Sequence, residues 1–121
     1  MSVKVKLVNE ARDEYERLRE ETKLQTARGI GNSDEIRLPS SINRKAELLK
    51  SNPAYGDKIP RKLWPKELAA KYALTNLWRV ELTNFWRMLY ILKGDEVELL
   101  CFVLVISDHR RYDKLFGYKR R

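Results

Sequence analysis

The side chains of this chain that could do chemistry are mostly cations, and they are gathered rather than scattered. Residues 58–71 hold Lys58, Arg61, Lys62, Lys66 and Lys71 against Glu67 alone, a net charge of +4. Residues 109–121 hold Arg110, Arg111, Lys114, Lys119, Arg120 and Arg121 against Asp113 alone, a net of +5. The whole chain carries +8 at pH 7, so the remainder sums to −1 and two short segments account for the entire excess. Cations concentrated in this way point to a polyanionic partner such as the phosphates of a nucleic acid. Either segment taken alone also fits a solvated Lys/Arg face. Between them lies Arg87, inside the otherwise apolar run 85–92, and the one histidine, His109, stands beside Asp108.

Residue counts exclude several other chemistries. A single cysteine allows no intramolecular disulfide, and one Cys with one His makes no zinc site of usual composition. Neither a metal nor a cofactor is expected. Cys101 lies between apolar neighbours and reads as a buried, inert thiol. The longest uncharged apolar run, 99–106, has eight residues, far short of the ~20 that span a bilayer. The opening Met-Ser-Val-Lys-Val-Lys lacks the apolar stretch of a secretory signal. With 121 residues, 43% of them hydrophobic, the expectation is one domain over residues 1–121, cytoplasmic and without a membrane partner.

Elements able to position these side chains are marked by periodicity. Val3, Val5 and Leu7 alternate with lysines, which predicts a half-buried strand over 2–8. Asn9 is a plausible cap for a helix over 10–28, whose narrow stripe is Ala11, Tyr15, Leu18 and Thr22. Glycines and polar residues from Gly29 onward predict a loop of about ten residues. A second helix over 41–51, capped by Ser40 or Ser41 behind Pro39, buries Ile42, Ala46 and Leu49 and ends at Asn52-Pro53. A short helix from Pro65 to near Tyr72 follows the basic segment. The segments 77–83, 85–92 and 97–107, joined at Thr83-Asn84 and Lys93-Gly94-Asp95, read as an antiparallel meander. The last of these is apolar on both faces and belongs inside the sheet. The expected fold is α+β: two N-terminal helices on one face of a mainly antiparallel four-stranded sheet, in the order β-α-α-β-β-β.

The meander carries a resemblance. Leu77-Trp78-Arg79-Val80-Glu81-Leu82, Trp86-Arg87-Met88-Leu89-Tyr90 and Val103-Leu104-Val105-Ile106 resemble the RelE/ParE superfamily of toxins, and its archaeal RelE-like members in particular. The ending Asp108-His109-Arg110-Arg111-Tyr112-Asp113-Lys114-Leu115-Phe116-Gly117-Tyr118-Lys119 is similar to the endings of archaeal members. The resemblance covers essentially the whole chain and rests on these motifs occurring in order.

That resemblance implies the toxin of a type II toxin–antitoxin system, an endoribonuclease that cuts mRNA in the ribosomal A site without a metal. A ribose 2′-hydroxyl attacks its own 3′-phosphate and leaves a cyclic phosphate and a 5′-hydroxyl. Such a reaction needs a base, cations for the phosphate oxygens and an acid for the leaving oxygen; each proton-transfer group is typically worth ~10²–10⁴-fold. By the same resemblance Arg87 matches the phosphate-stabilising arginine, Arg79 a basic position one strand earlier, and Arg111 a basic residue after the last strand. His109, Tyr112 and Tyr118 are alternative terminal acids or bases. Glu67 lies near where some members carry a catalytic glutamate. Glu81 stands where some ribosome-dependent members have a lysine, so it is either a base or a sign of weakened cleavage. Lys58, Arg61, Lys62, Lys66, Lys71, Arg110, Lys114 and Lys119 would contact RNA phosphates, and an acidic antitoxin would cover the basic face. Two alternatives keep the fold: a ribosome- or RNA-binding protein without cleavage, such as a translation inhibitor or hibernation-type factor, and a ParE-like gyrase- or partner-binding protein. Arg87 with His109 and Tyr112 argues against the second.

Overall fold

A computed structural model of the protein describes residues 2–31, 33–94 and 97–118. In chain order the elements are β1 (Ser2–Leu7), α1 (Asn9–Ala27), α2 (Asp34–Ser51), β2 (Asp57–Lys58), α3 (Lys66–Tyr72), β3 (Trp78–Glu81), β4 (Arg87–Gly94), β5 (Glu98–Ser107) and α4 (His109–Phe116). The protein is α+β, with a five-stranded mixed sheet in the order β1-β5-β4-β3-β2. β1 runs parallel to β5, and the other three pairings are antiparallel. The meander and the interior position of β5 are as expected; the four-stranded sheet is not. The added strand is Asp57-Lys58, which pairs with Arg79 and Trp78 and is too short to leave any alternation in the sequence.

Both faces of the sheet are covered. α1 and α2 place Ala11, Leu18, Leu38, Ile42 and Leu49 against Val80, Met88, Tyr90, Cys101, Val103 and Ile106. On the opposite face Leu68 of α3 with Tyr112 and Leu115 of α4 cover Leu89, Leu104 and Val105. α4 falls in the basic segment after 97–107, to which periodicity assigns no element. Its basic residues mask an apolar pair, Tyr112 and Leu115, spaced one helical turn apart. Asp108 starts it, its carboxylate accepting from the Arg111 N–H at 2.9 Å.

Two further helix boundaries differ from expectation. α1 follows extended Val8, with no side-chain cap, and Asn9 is its first residue. α2 begins seven residues before Ser41, capped by Ser33, whose hydroxyl accepts from the Ile36 N–H, and Pro39 sits inside it. A proline there removes the N–H that would serve the carbonyl four residues back. That carbonyl, Glu35, lies 3.0 Å from the Thr22 hydroxyl of α1 instead. Ser41, once free of capping, turns its buried hydroxyl to accept from the Thr83 N–H of the β3–β4 turn.

That connection is longer than expected: β3 ends at Glu81 and β4 begins at Arg87, with the turn between them. The Trp86 N–H donates to the Thr83 carbonyl at 3.2 Å, so the central residues are Asn84 and Phe85, with φ of 54° and 64°. Phe85 therefore belongs to the turn and not to β4.

Tyr90 anchors the segment before β2. Its ring is fully buried, its hydroxyl donates to the Pro53 carbonyl at 2.8 Å and accepts from the Gly56 N–H at 3.0 Å. Gly56 is needed here, since a Cβ would lie 2.5 Å from the Arg79 carbonyl oxygen. Burial pushes the Tyr90 phenol from 10.0 to about 12, and the Cys101 thiol from 9.0 to about 12. The folded state thus holds both protons more tightly than the unfolded chain. Their contribution is complete below pH 9 and is lost as pH rises from there towards 12. Urea midpoints measured across this range should fall steadily, and Tyr90→Phe should flatten the pH 10–12 limb. At neutral pH the same substitution should cost about 1–3 kcal/mol, because it strands a buried N–H and a carbonyl; an unchanged midpoint would contradict the anchor.

Candidate functional site

The register of the meander decides which polar side chains meet. Glu81 pairs with Arg87, Arg79 with Leu89, and Arg87 with Ser107. Trp78, Val80 and Leu82 face α1 and α2, so Arg79, Glu81, Arg87 and Ser107 face the other way, towards α4. There the ring of Tyr112, 5% exposed, is held by both arginines. Arg79 Nη1 lies 3.5 Å from the Tyr112 hydroxyl, at the outer limit of a hydrogen bond. The Arg87 guanidinium stands 4.8 Å from the ring centre, a cation–π geometry. Arg87 Nη1 also donates to the Phe85 carbonyl at 3.1 Å. Asp57 Oδ2 is 3.3 Å from Arg79 and Glu81 Oε1 is 3.9 Å from Arg87 Nε, the latter too far for a hydrogen bond.

Three buried polar atoms in this cluster have no hydrogen-bond partner among the described residues: Arg79 Nε, Arg87 Nε and Ser107 Oγ. (A fourth, Trp78 Nε1, belongs to the opposite face.) An unmet buried donor costs roughly 1–3 kcal/mol. Unmet buried donors on two arginines and a serine along one face of the sheet mark this cluster as the candidate site. Burial holds the Tyr112 phenol above its ordinary range, with Arg79 and Arg87 pulling partly against it. Tyr112 is therefore a protonated donor at neutral pH. The Tyr112 hydroxyl, followed by Asp57, raises the Arg79 pKa still further against the opposing effect of burial.

The other expected site residues are placed differently. Arg111 takes its partners elsewhere; it pairs with Glu10 of α1 at 3.0 Å and Glu67 of α3 at 3.3 Å, tying three helices together. Those carboxylates raise its pKa, Glu10 foremost, and Glu67 serves as a structural partner. Arg111 and Ser107 also line a cleft of about 320 Å³ with Glu10, Glu14, Arg17 and Trp86. His109 is the first residue of α4, half-buried and one turn before Tyr112. Tyr118 is 48% exposed and stacks on Phe116 at 5.6 Å, its ring 6.4 Å from that of Tyr112.

Apart from Lys58, which stands cross-strand from Trp78 on the α1–α2 face, the described parts of the two basic segments lie on the side of the sheet that α3 and α4 cover. Ile59, Leu68 and Leu74 share the cluster of Tyr112 and Leu115, and the Arg111–Glu67 pair bridges them. Lys58, Arg61, Lys62, Lys66, Lys71, Arg110 and Lys114 are exposed. Lys58, Arg61 and Lys71 stand over the rings of Trp78, Trp64 and Tyr72 at 5.9, 4.9 and 5.4 Å. Lys119, with Arg120 and Arg121, lies outside the described residues. Among the described residues no group of three or more His, Cys, Asp or Glu side chains could hold a metal ion, and no helix is long and apolar enough to cross a membrane.

Sequence reasoning missed Ser107 and Asp57. Ser107 is a polar residue closing an apolar strand, and only its pairing with Arg87 gives it meaning. The chain matches no known family model, no curated protein and no solved structure.

With most of both basic segments on one side, binding to single-stranded RNA should weaken steeply with salt. About six neutralised phosphates give a log–log slope near −4, at ~0.7 per contact. Arg110→Ala should flatten that slope by about one contact without lowering the urea midpoint, since Arg110 is exposed. Arg111→Ala should lower the midpoint, because it leaves Glu10 and Glu67 without their shared cation. Filter-binding titrations at several salt concentrations check the first pair of outcomes; a slope near zero would make the clusters solvated decoration.

Proposed function

We propose that this chain is a RelE-type toxin, an endoribonuclease that cleaves mRNA in the ribosomal A site and is restrained by an antitoxin with an acidic segment. The observation that carries this reading is the pair Arg79 and Arg87 held on the ring of Tyr112, with Ser107 cross-strand from Arg87. A phosphodiester approaching this face would meet the solvent-facing edges of the two guanidiniums, whose side chains stay 33% and 19% exposed. Their Nε atoms and the Ser107 hydroxyl are buried beneath, without a partner among the described residues. Charge developing on the phosphate oxygens in the transition state would be met by cations already in position.

The proton bookkeeping assigns the remaining roles. As the 2′-oxygen bonds to phosphorus its proton goes to a base, and as the bond to the 5′-oxygen breaks that oxygen takes a proton. Tyr112 supplies the second proton: it is protonated at neutral pH, and the phenolate it leaves behind is stabilised by Arg79 at the oxygen and Arg87 over the ring. Glu81, an exposed carboxylate beside Arg87, or His109, one turn before Tyr112, accepts the first.

A second reading, binding without cleavage, is favoured by one observation. Each arginine of the site faces a carboxylate, Arg79 facing Asp57 and Arg87 facing Glu81, which weakens the cationic field a phosphate would meet.

A translation reaction with purified protein, with mRNA 5′ ends mapped with and without ribosomes, separates the two. Cleavage should persist in EDTA and leave 5′-hydroxyl ends. Arg87→Ala should lower single-turnover cleavage by ~10²–10³-fold while ribosome affinity stays near wild type, because the charge acts on the transition state. Tyr112→Phe, which keeps the ring and removes the proton, should cost ~10²-fold or more, whereas Tyr118→Phe should cost little. Glu81→Gln and His109→Gln identify the base by which of them abolishes the acidic limb of the pH–rate profile. Intact mRNA on tightly bound ribosomes would leave the binding reading standing.

A further inference from the structure

The β3–β4 turn contradicts its own sequence. Two central residues at positive φ, closed by the Trp86 N–H to Thr83 carbonyl bond, make a type I′ hairpin turn. Such turns favour Asn-Gly, because only glycine takes the second position without a Cβ penalty. Asn84 suits its place. The second position holds phenylalanine at φ 64°, a bulky side chain in the left-handed region. No core burial repays that strain, because Phe85 is 72% exposed. Strain of this kind persists where the residue serves a ligand. What lies beside it points to which ligand. The Phe85 carbonyl accepts from Arg87 Nη1, so the turn is fastened to the arginine of the anion site.

We propose that Phe85 is a stacking platform for a nucleobase of single-stranded RNA, next to the phosphate held by Arg87. This rests on the reading of the Arg79–Arg87–Ser107 cluster as a phosphodiester site. An exposed aromatic ring hydrogen-bonded through its own backbone to a phosphate-binding guanidinium supplies the two halves of single-strand recognition, stacking and charge. The contact is sequence-tolerant, since every base has a π-face. It carries no charge, so it adds affinity without adding to the salt dependence.

The test uses a single-stranded 2′-O-methyl RNA of about 12 nucleotides, which lacks the attacking hydroxyl and reports binding alone. Phe85→Ala and Phe85→Leu should each weaken binding by about 10- to 100-fold with the salt slope unchanged. Phe85→Trp should bind at least as well as wild type. Phe85→Gly should lose binding like Phe85→Ala yet raise the urea midpoint, because it relieves the turn; a merely structural role would move both in the same direction. Phe85→Leu binding like wild type overturns the proposal and favours an apolar protein contact at this position. All Phe85 variants binding like wild type overturns it while leaving the phosphodiester site intact. Wild-type protein that binds no RNA at low salt overturns both.

Discussion

The pairing of β4 with β5 determines whether the two arginines and Tyr112 meet at all. Side chains alternate across a sheet with a period of two, so a slip of one residue would turn Arg87 into the apolar layer under α1 and α2. The register is held by a β-bulge. Leu89 pairs with Val105 but Tyr90 pairs with Val103, which leaves Leu104 as the extra residue. Leu104 and Val105 consequently pack on the same side, with α3 and α4. Cys101 and Val103 face α1 and α2; without the bulge Ser107 would share their parity. The extra residue turns Ser107 to Arg87's face and delivers Asp108 and α4 to the side where Tyr112 can be clamped. A bulge next to a site is a common way to re-aim side chains.

Burial has opposite consequences for the groups so assembled. It keeps Tyr112 protonated, which is what a proton donor at neutral pH requires, and it leaves guanidinium N–H groups without water. Asp57, which accepts from Arg79 Nη2 at 3.3 Å, and Glu81 temper the resulting charge and leave both Nε atoms unmet. Arg111 shows the contrasting arrangement: two carboxylates within 3.3 Å satisfy it, and its work is to join α1, α3 and α4. An arginine that motif and charge mark as a site candidate is thus held by two carboxylates, and a serine that no motif marks stands among the unmet donors.

The parts of this molecule legible in its sequence were those written in periodicity. The meander, the interior position of β5, the stripe of α1 and the short helix after Pro65 all follow from apolar spacing and breakers. Arg87 was visible as a lone cation in an apolar strand. What was hidden depended on tertiary partners. A two-residue strand carries no pattern, and its position comes from Tyr90 holding Pro53 and Gly56. Pro39 read as a helix start because the residue that meets its orphaned acceptor, Thr22, lies on another helix. α4 was obscured by composition: its dense charge concealed two residues that bury it. Ser107 became readable only through the bulge, which no local pattern announces.

Two costs that local stability would have removed lie close together in the sheet, since Ser107 pairs with Arg87, two residues after Phe85. A glycine at position 85 would relax the turn, and an apolar residue at 107 would remove an unmet hydroxyl. Neither change would disturb the α1–α2 core, whose packing on the sheet runs through Val80, Met88 and Tyr90. Natural sequences are largely consistent with their folds, and departures concentrate where function sets the residue. The strained Phe85 and the unpartnered Arg87 Nε meet through one hydrogen bond, from Arg87 Nη1 to the Phe85 carbonyl. That bond constrains the guanidinium from below the site while its Nε edge stays unspent. A turn that relaxed would change the carbonyl's direction and, with it, the orientation of the arginine. The strain at the turn and the unpartnered donor are therefore parts of a single arrangement, which fixes one edge of Arg87 at the turn carbonyl and leaves its buried Nε unmet.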